Sequence, residues 1–304
     1  MQSAFGWLPR SETRMSEVLD FGARLQETMV RHGRLCVGID PHPDLLAQWG
    51  LPETGGGVRR FGEAVVEAAA GRVGVVKPQV AFFERYGVAG MEALAAVQRS
   101  AREAGLLVIS DAKRGDIGST MAAYAHAWLH PESEFAADAL TVSPFLGFGS
   151  LGPAIEAAEA YGAGLFVLAL TSNPEGGEVQ LARRGDRSVA GQIAEAAARR
   201  NIERREGHNV RDVSHPALGH IGLVVGATTA STAQQAEVDL TRGLPPLLAP
   251  GYGAQGASVA DLREGFGSAF DHQVLVNSSR AILVQGPQRA GLVDAIDRAR
   301  DDVS

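Results

Sequence analysis

What limits the possible folds of this chain most sharply is a rhythm. Eight short apolar runs, at 34–39, 73–77, 106–111, 139–143, 164–171, 221–227, 246–250 and 274–279, alternate with stretches of helical spacing. Those stretches fall near 58–70, 87–104, 117–130, 150–161, 189–206, 229–241, 258–266 and 287–301, with Pro287 as a first-turn proline of the last. Strands that are apolar almost throughout belong to parallel sheets covered on both faces. Eight such units in 304 residues predict a single-domain α/β fold, a closed (β/α)8 TIM barrel. An open, doubly wound sheet satisfies the same alternation. The first run lacks a G-x-G-x-x-G turn, which argues against the dinucleotide-binding form of that sheet.

Residues 1–14 carry no periodic pattern and precede a second methionine, Met15, so they are expected to be a mobile extension to a barrel domain spanning 15–304. Ser16 is expected to open a helix with Val18, Leu25 and Met29 on one face. Gly55-Gly56-Gly57 is expected to be a flexible connection, and the arginine-rich stretch from Arg183 to Arg205 a solvated helix face.

Composition removes several function classes. The net charge is −7 and no basic cluster is interleaved with aromatic residues, so no nucleic-acid partner is expected. The longest apolar run, 164–170, is far too short to span a bilayer, and no apolar leader is visible. Cys36 is the only cysteine, which excludes an internal disulfide and a thiolate-built zinc site. A cytoplasmic protein with no membrane partner is expected.

The basic residues are unevenly chosen. Of 28, only Lys77 and Lys113 are lysine. Lysine carries a compact ammonium that can give up a proton, whereas the arginine fork does not deprotonate. In a barrel, polar residues at the C-terminal ends of strands face the active site. Both lysines occupy such ends: Lys77 closes the second run, and Lys113 lies in Asp111-Ala112-Lys113-Arg114-Gly115-Asp116 after the third. Strand period puts Asp111 and Lys113 on one side, toward the barrel mouth. With Lys77 on the next strand and Asp116 at the loop-to-helix junction, four charges of alternating sign form a candidate array, each keeping its neighbours ionised. A structural ion-pair network, or Asp116 acting as a helix cap, is the alternative.

Asp40 closes the first run, and the fifth ends in Thr171-Ser172-Asn173. The seventh enters the glycine-rich turn Pro250-Gly251-Tyr252-Gly253-Ala254-Gln255-Gly256, and the eighth ends in Asn277-Ser278-Ser279-Arg280. Backbone N–H groups of a glycine turn together with an arginine fork suit a phosphate, so a phosphomonoester ligand is expected. His126 and His130 have the spacing of a metal pair but lack a third ligand nearby, and no metal is expected.

These residues resemble a known family. Asp111-Ala112-Lys113-Arg114-Gly115-Asp116-Ile117-Gly118-Ser119-Thr120, together with Lys77, the Pro250–Gln255 loop and Arg280, is similar to the pattern of the orotidine 5′-phosphate decarboxylases. The long segment 173–220 and the Asn277-Ser278-Ser279 run resemble the longer bacterial subgroup. The resemblance implies decarboxylation of orotidine 5′-phosphate to UMP, the last step of de novo pyrimidine synthesis, with no metal or other cofactor. It implies that Asp40 and Lys77 hold ribose hydroxyls, Asp111 faces the departing carboxylate, and Lys113 protonates C6. It further implies that Asp116, Ile117 and Thr120 cross a homodimer interface, and that Ser172 bonds the pyrimidine. Gln255 and Arg280 would grip the phosphate, with Pro250 and Ser279 completing the substrate-binding set. Magnesium-dependent keto-sugar-phosphate decarboxylases and aldolases share D-x-K-x-x-D, but carry a carboxylate where Lys77 stands. A non-catalytic phosphate-ligand sensor on the same barrel is a third reading.

Overall fold

Every one of the eight apolar runs forms a strand, and each strand is parallel to both of its neighbours. The computed structural model describes residues 20–207, 217–253 and 256–304. The strands are β1 (Leu35–Ile39), β2 (Val75–Pro78), β3 (Leu107–Arg114), β4 (Ala139–Val142), β5 (Gly164–Leu170), β6 (Ile221–Val225), β7 (Leu247–Pro250) and β8 (Val274–Ser278). They pair in sequence order and β8 returns to β1, so the TIM barrel is the fold and the open sheet is not. Closure leaves no barrel strand with an unpaired edge.

Two apolar layers follow. Cys36, Val75, Ile109, Phe166, Val224, Leu248 and Leu275 pack inside the barrel, while the opposite strand faces pack against the surrounding helices. This double burial is why the runs read as continuously apolar. The main outer helices are α2 (Gly55–Ala69), α3 (Gly87–Glu103), α4 (Gly118–Leu129), α5 (Gly152–Tyr161), α6 (Val189–Gly207), α7 (Val259–Phe266) and α8 (Arg289–Asp302), preceded by α1 (Phe21–His32). None of the described helices is long and apolar enough to cross a membrane.

Helix α1 joins the interior layer. Phe21 and Leu25 are fully buried with the barrel residues, and the Phe21 ring stands edge-on to Phe166 at 6.0 Å. Asp20 precedes the first residue of α1; Ser16, Val18 and the extension 1–14 lie outside the described residues. Charge ties the helix down as well, through Arg24 to Asp138 at 2.5 Å and Arg204 to Asp20 at 2.6 Å.

Four local expectations are corrected. Gly55-Gly56-Gly57 is the first turn of α2, capped by Thr54, whose Oγ1 accepts from the Gly57 amide at 3.2 Å. A Cβ on Gly57 would lie 1.8 Å from the Pro52 carbonyl oxygen, so glycine here serves close approach rather than flexibility. The arginine-rich stretch starts as a small antiparallel hairpin, Arg183–Arg184 with Arg187–Ser188, and becomes helical only at Val189. Its Arg204 is mostly buried in the bond to Asp20. Pro287 precedes α8, which starts at Arg289.

The helix expected over 229–241 reduces to one short turn, Ala230–Thr232. Hydroxyls there bond the chain's own carbonyls, Thr229 to Gly226 at 3.1 Å and Thr232 to Thr229 at 2.7 Å, which competes with helix formation. Glu237 then turns the chain at φ 56°, held by the Ser188 amide and Arg183.

Candidate active site

The C-terminal ends of the strands enclose a cavity of about 350 Å³. Asp111 is its electrostatic centre. Lys77 donates to Asp111 Oδ2 at 2.7 Å and Lys113 to Oδ1 at 2.6 Å. Thr141 Oγ1 donates to the same Oδ1 at 2.9 Å and accepts from the Lys113 amide at 2.9 Å. Gln79, with its amide nitrogen facing the carboxylate, donates to Asp111 Oδ2 at 2.5 Å and accepts from Lys113 Nζ at 3.3 Å. Every lone-pair direction of the carboxylate is thus used, as a buried anion requires.

Burial opposes charge on both inner members of this cluster, and the neighbours overrule it. Desolvation disfavours the Asp111 carboxylate, but the two ammoniums beside it hold its pKa well below the usual carboxylate range. Desolvation likewise acts against the Lys77 ammonium, but Asp111, and more weakly Asp40, hold it above the ordinary lysine value. Lys113 differs in exposure: 45% of its side chain is open, against 4% for Lys77. One ammonium is therefore locked into the wall and the other is offered to a ligand.

Simple strand alternation does not account for how Asp111 and Lys113 come together. The β3–β4 register shifts between Ser110 and Arg114, and Lys113 takes a left-handed backbone with φ 49°. The irregularity lets consecutive polar residues reach one cavity from a strand end.

Asp40, Ser172, Pro250, Ser279 and Arg280 line the same cavity. Asp40 Oδ1 is buried without a protein partner. Arg280 is exposed at the mouth beside Ser279. Gln255 lies outside the described residues. Asp116, Ile117 and Thr120 do not line the cavity of their own chain. Asp116 is half-buried and accepts from the Ile117 amide at 2.8 Å, while Ile117 is 61% exposed and Thr120 is exposed. Within one chain the array is therefore three charges, Lys77, Asp111 and Lys113. Asp116 is not the cap of α4, whose N-cap is Ile117.

Thr141 and Gln79 belong to the site, although the sequence motifs alone do not mark them as site residues. Thr141 could have been found from β4 itself, because it alternates with Ala139 of the barrel interior. His126 and His130 stack on one another at 4.4 Å, and no group of three potential metal ligands occurs among the described residues.

Comparison with known proteins gives a consistent result. Residues 33–292 match the model of the Orotidine 5′-phosphate decarboxylase / HUMPS family. The chain is 53% identical to the orotidine 5′-phosphate decarboxylase of Streptomyces coelicolor over 91% of its length and 95% of that protein. It is 52% identical to the Salinispora arenicola protein of the same name, over 93% and 96% respectively. A crystal structure from Streptomyces avermitilis, named for the same activity, superposes with a TM-score of 0.86 at 51% identity, covering 94% of this chain and 95% of that one.

Proposed function

The chain belongs to the Orotidine 5′-phosphate decarboxylase / HUMPS family and is a carboxy-lyase, and from that premise we propose that its buried lysine–aspartate cluster decarboxylates orotidine 5′-phosphate to UMP without metal or organic cofactor. The single observation that carries this reading is the Lys77–Asp111–Lys113 chain of hydrogen bonds at the cavity wall.

The chemistry demands such a device. Breaking the bond between C6 and the carboxylate releases carbon dioxide and leaves an electron pair on C6, in the ring plane, where the ring π system cannot accept it. Fixed positive charge aimed at that carbon lowers the barrier, since it needs no reorganisation as the anion forms. Lys113 is the exposed ammonium and supplies this charge; its Nζ proton then moves to C6, and solvent reprotonates the amine. Lys77 and Gln79 hold Asp111 so that Lys113 is aimed, and Asp111 faces the departing carboxylate. Lys77 with Asp40 also takes the ribose hydroxyls.

Arg280, on the far side of the mouth, grips the phosphate together with Gln255 and the loop after Pro250. Ser172 bonds the pyrimidine, and Ser279 lies beneath the sugar-phosphate. Binding at these remote groups is spent on closing the site around the reacting carbon. Asp116, Ile117 and Thr120 do not line their own cavity, and Ile117 and Thr120 are exposed, which supports their use in a neighbouring subunit of a homodimer, with Asp116 completing the four-charge array. On this reading the enzyme is cytoplasmic.

The test is loss of orotidine 5′-phosphate absorbance with and without EDTA. Turnover unaffected by the chelator is expected. No turnover rejects the reading, and turnover abolished by chelation returns the magnesium-dependent alternative.

A further inference from the structure

Asn277 is a buried amide with an unspent acceptor on the cavity wall. It is 7% exposed, it lines the cavity, and its Oδ1 has no hydrogen-bond partner. The strand register explains why the protein does not satisfy it. Asn277 pairs with Cys36 on β1 and with Pro250 on β7. Proline has no N–H to give, and a thiol is a weak donor. The amide nitrogen reaches only Ser279 Oγ, at a long 3.4 Å.

Its position along the cavity is defined by its neighbours. Arg280 follows three residues later, just past the end of the same strand, toward the mouth. On the other side, β1 separates β8 from β2, and Gly38 of β1 pairs with Lys77. A Cβ on Gly38 would lie 1.8 Å from Ser279 Oγ and 3.4 Å from Asp40 Oδ1, so Ser279 and Asp40 meet across that glycine. By register Asn277 is level with Cys36, two residues deeper than Gly38 and Lys77. It therefore lies on the cavity floor below Ser279, on the strand that leads to Arg280 and beside the β1–β2 wall that carries Asp40 and Lys77, under the space the decarboxylase reading gives to the sugar.

We propose that Asn277 is a further substrate-binding residue, its side-chain carbonyl accepting a hydrogen bond from one ribose hydroxyl of the nucleotide. This rests on the decarboxylase reading for the identity of the ligand. A buried acceptor left empty by the fold and facing a ligand cavity is satisfied when the ligand brings the donor.

The experiment is calorimetric binding of UMP, 2′-deoxy-UMP and 3′-deoxy-UMP to the wild type, Asn277→Ala and Asn277→Leu, with melting temperatures recorded for each. The leucine variant keeps nearly the same volume and guards against collapse of the alanine variant. Both variants are expected to bind UMP about tenfold more weakly, a change of about 1.4 kcal/mol. They are expected to match the wild type on the one analogue that lacks the bonded hydroxyl. Equal weakening on all three ligands, or none on any, overturns the assignment. Wild-type protein that binds UMP but leaves orotidine 5′-phosphate intact overturns the decarboxylase reading instead, and the three-ligand pattern still judges Asn277.

Discussion

Lys77 and Asp111 lie 34 residues apart in the chain and meet at 2.7 Å on neighbouring strand ends, one 4% and the other 10% exposed at the side chain. Such a pair is held by mutual need: either ion alone is a buried, uncompensated charge. Lys77→Met is expected to cost about 3 kcal/mol in urea unfolding at pH 7, and Asp111→Leu a similar amount. The double variant should be more stable than either single one. Activity should fall by about a hundred- to a thousandfold or more in all three, as when a fixed charge-stabilising group is lost. Asp111, with its pKa depressed below 3.8, contributes stability that is complete above that value and lost as pH falls. Lys77, with its pKa raised above 10.5, contributes stability that is complete below 10.5 and lost as pH rises further.

Lys113 separates catalysis from stability. Lys113→Ala should remove nearly all turnover, and retention of more than about a tenth would contradict its role as proton donor. Lys113→Arg should not rescue it, because a guanidinium does not release its proton at neutral pH. With φ at 49°, the backbone here favours glycine. Lys113→Gly should therefore be more stable than Lys113→Ala by about 1 kcal/mol while equally inactive.

Asp116 offers a test of the shared site. Lys113→Ala and Asp116→Ala proteins, each inactive alone, should regain partial activity when mixed under conditions that exchange subunits. Demonstrated exchange with no return of activity would place Asp116 at work in its own chain.

His220, just before β6, is 1% exposed. Burial pushes its pKa down from 6.5 to about 4, and the Arg200 and Arg204 guanidiniums add to this against Asp20 and Glu159. The folded protein therefore binds fewer protons here than the unfolded chain, and stability declines as pH falls from 6.5 toward 4. The full effect is about 3 kcal/mol. Urea midpoints at pH 7 and pH 4.5 should differ in the wild type, and the difference should shrink in His220→Gln. This window lies above the one in which Asp111 titrates.

Phe21 closes the barrel at the end opposite the active site. Phe21→Ala should destabilise the fold by about 3–5 kcal/mol, from lost burial and the cavity left behind. At temperatures well below melting, kcat should stay within about twofold of the wild type. A large fall in kcat with unchanged stability would show that the plug reaches the mouth.

The barrel was legible in the sequence because its strands are buried on both faces, so eight apolar runs stand out with little ambiguity. The two lysines were legible for a related reason. At the end of a buried strand, a charged residue survives only with a partner or a task, and both lysines stand at such ends. Shorter-range competition was harder to read. The segment after β6 carries apolar residues at helical spacing, but its threonine hydroxyls take the carbonyls that a helix would use. The glycine triplet resembled a linker because the Pro52 carbonyl that crowds Gly57 belongs to a turn whose shape the local sequence does not announce.

By itself, then, the order of residues determined which strands form, their sequence around the barrel, and which of their ends carry charge. Only the tertiary structure decided that Thr141 and Gln79 complete the shell of Asp111, that Asp116 does not line its own cavity, and that Asn277 is left with an empty acceptor. Those outcomes depend on register and strand irregularity between distant segments. Hydrogen bonding is directional and fails within an ångström, whereas apolar burial tolerates such shifts, so the pattern of burial survives in one dimension and the geometry of polar contacts does not.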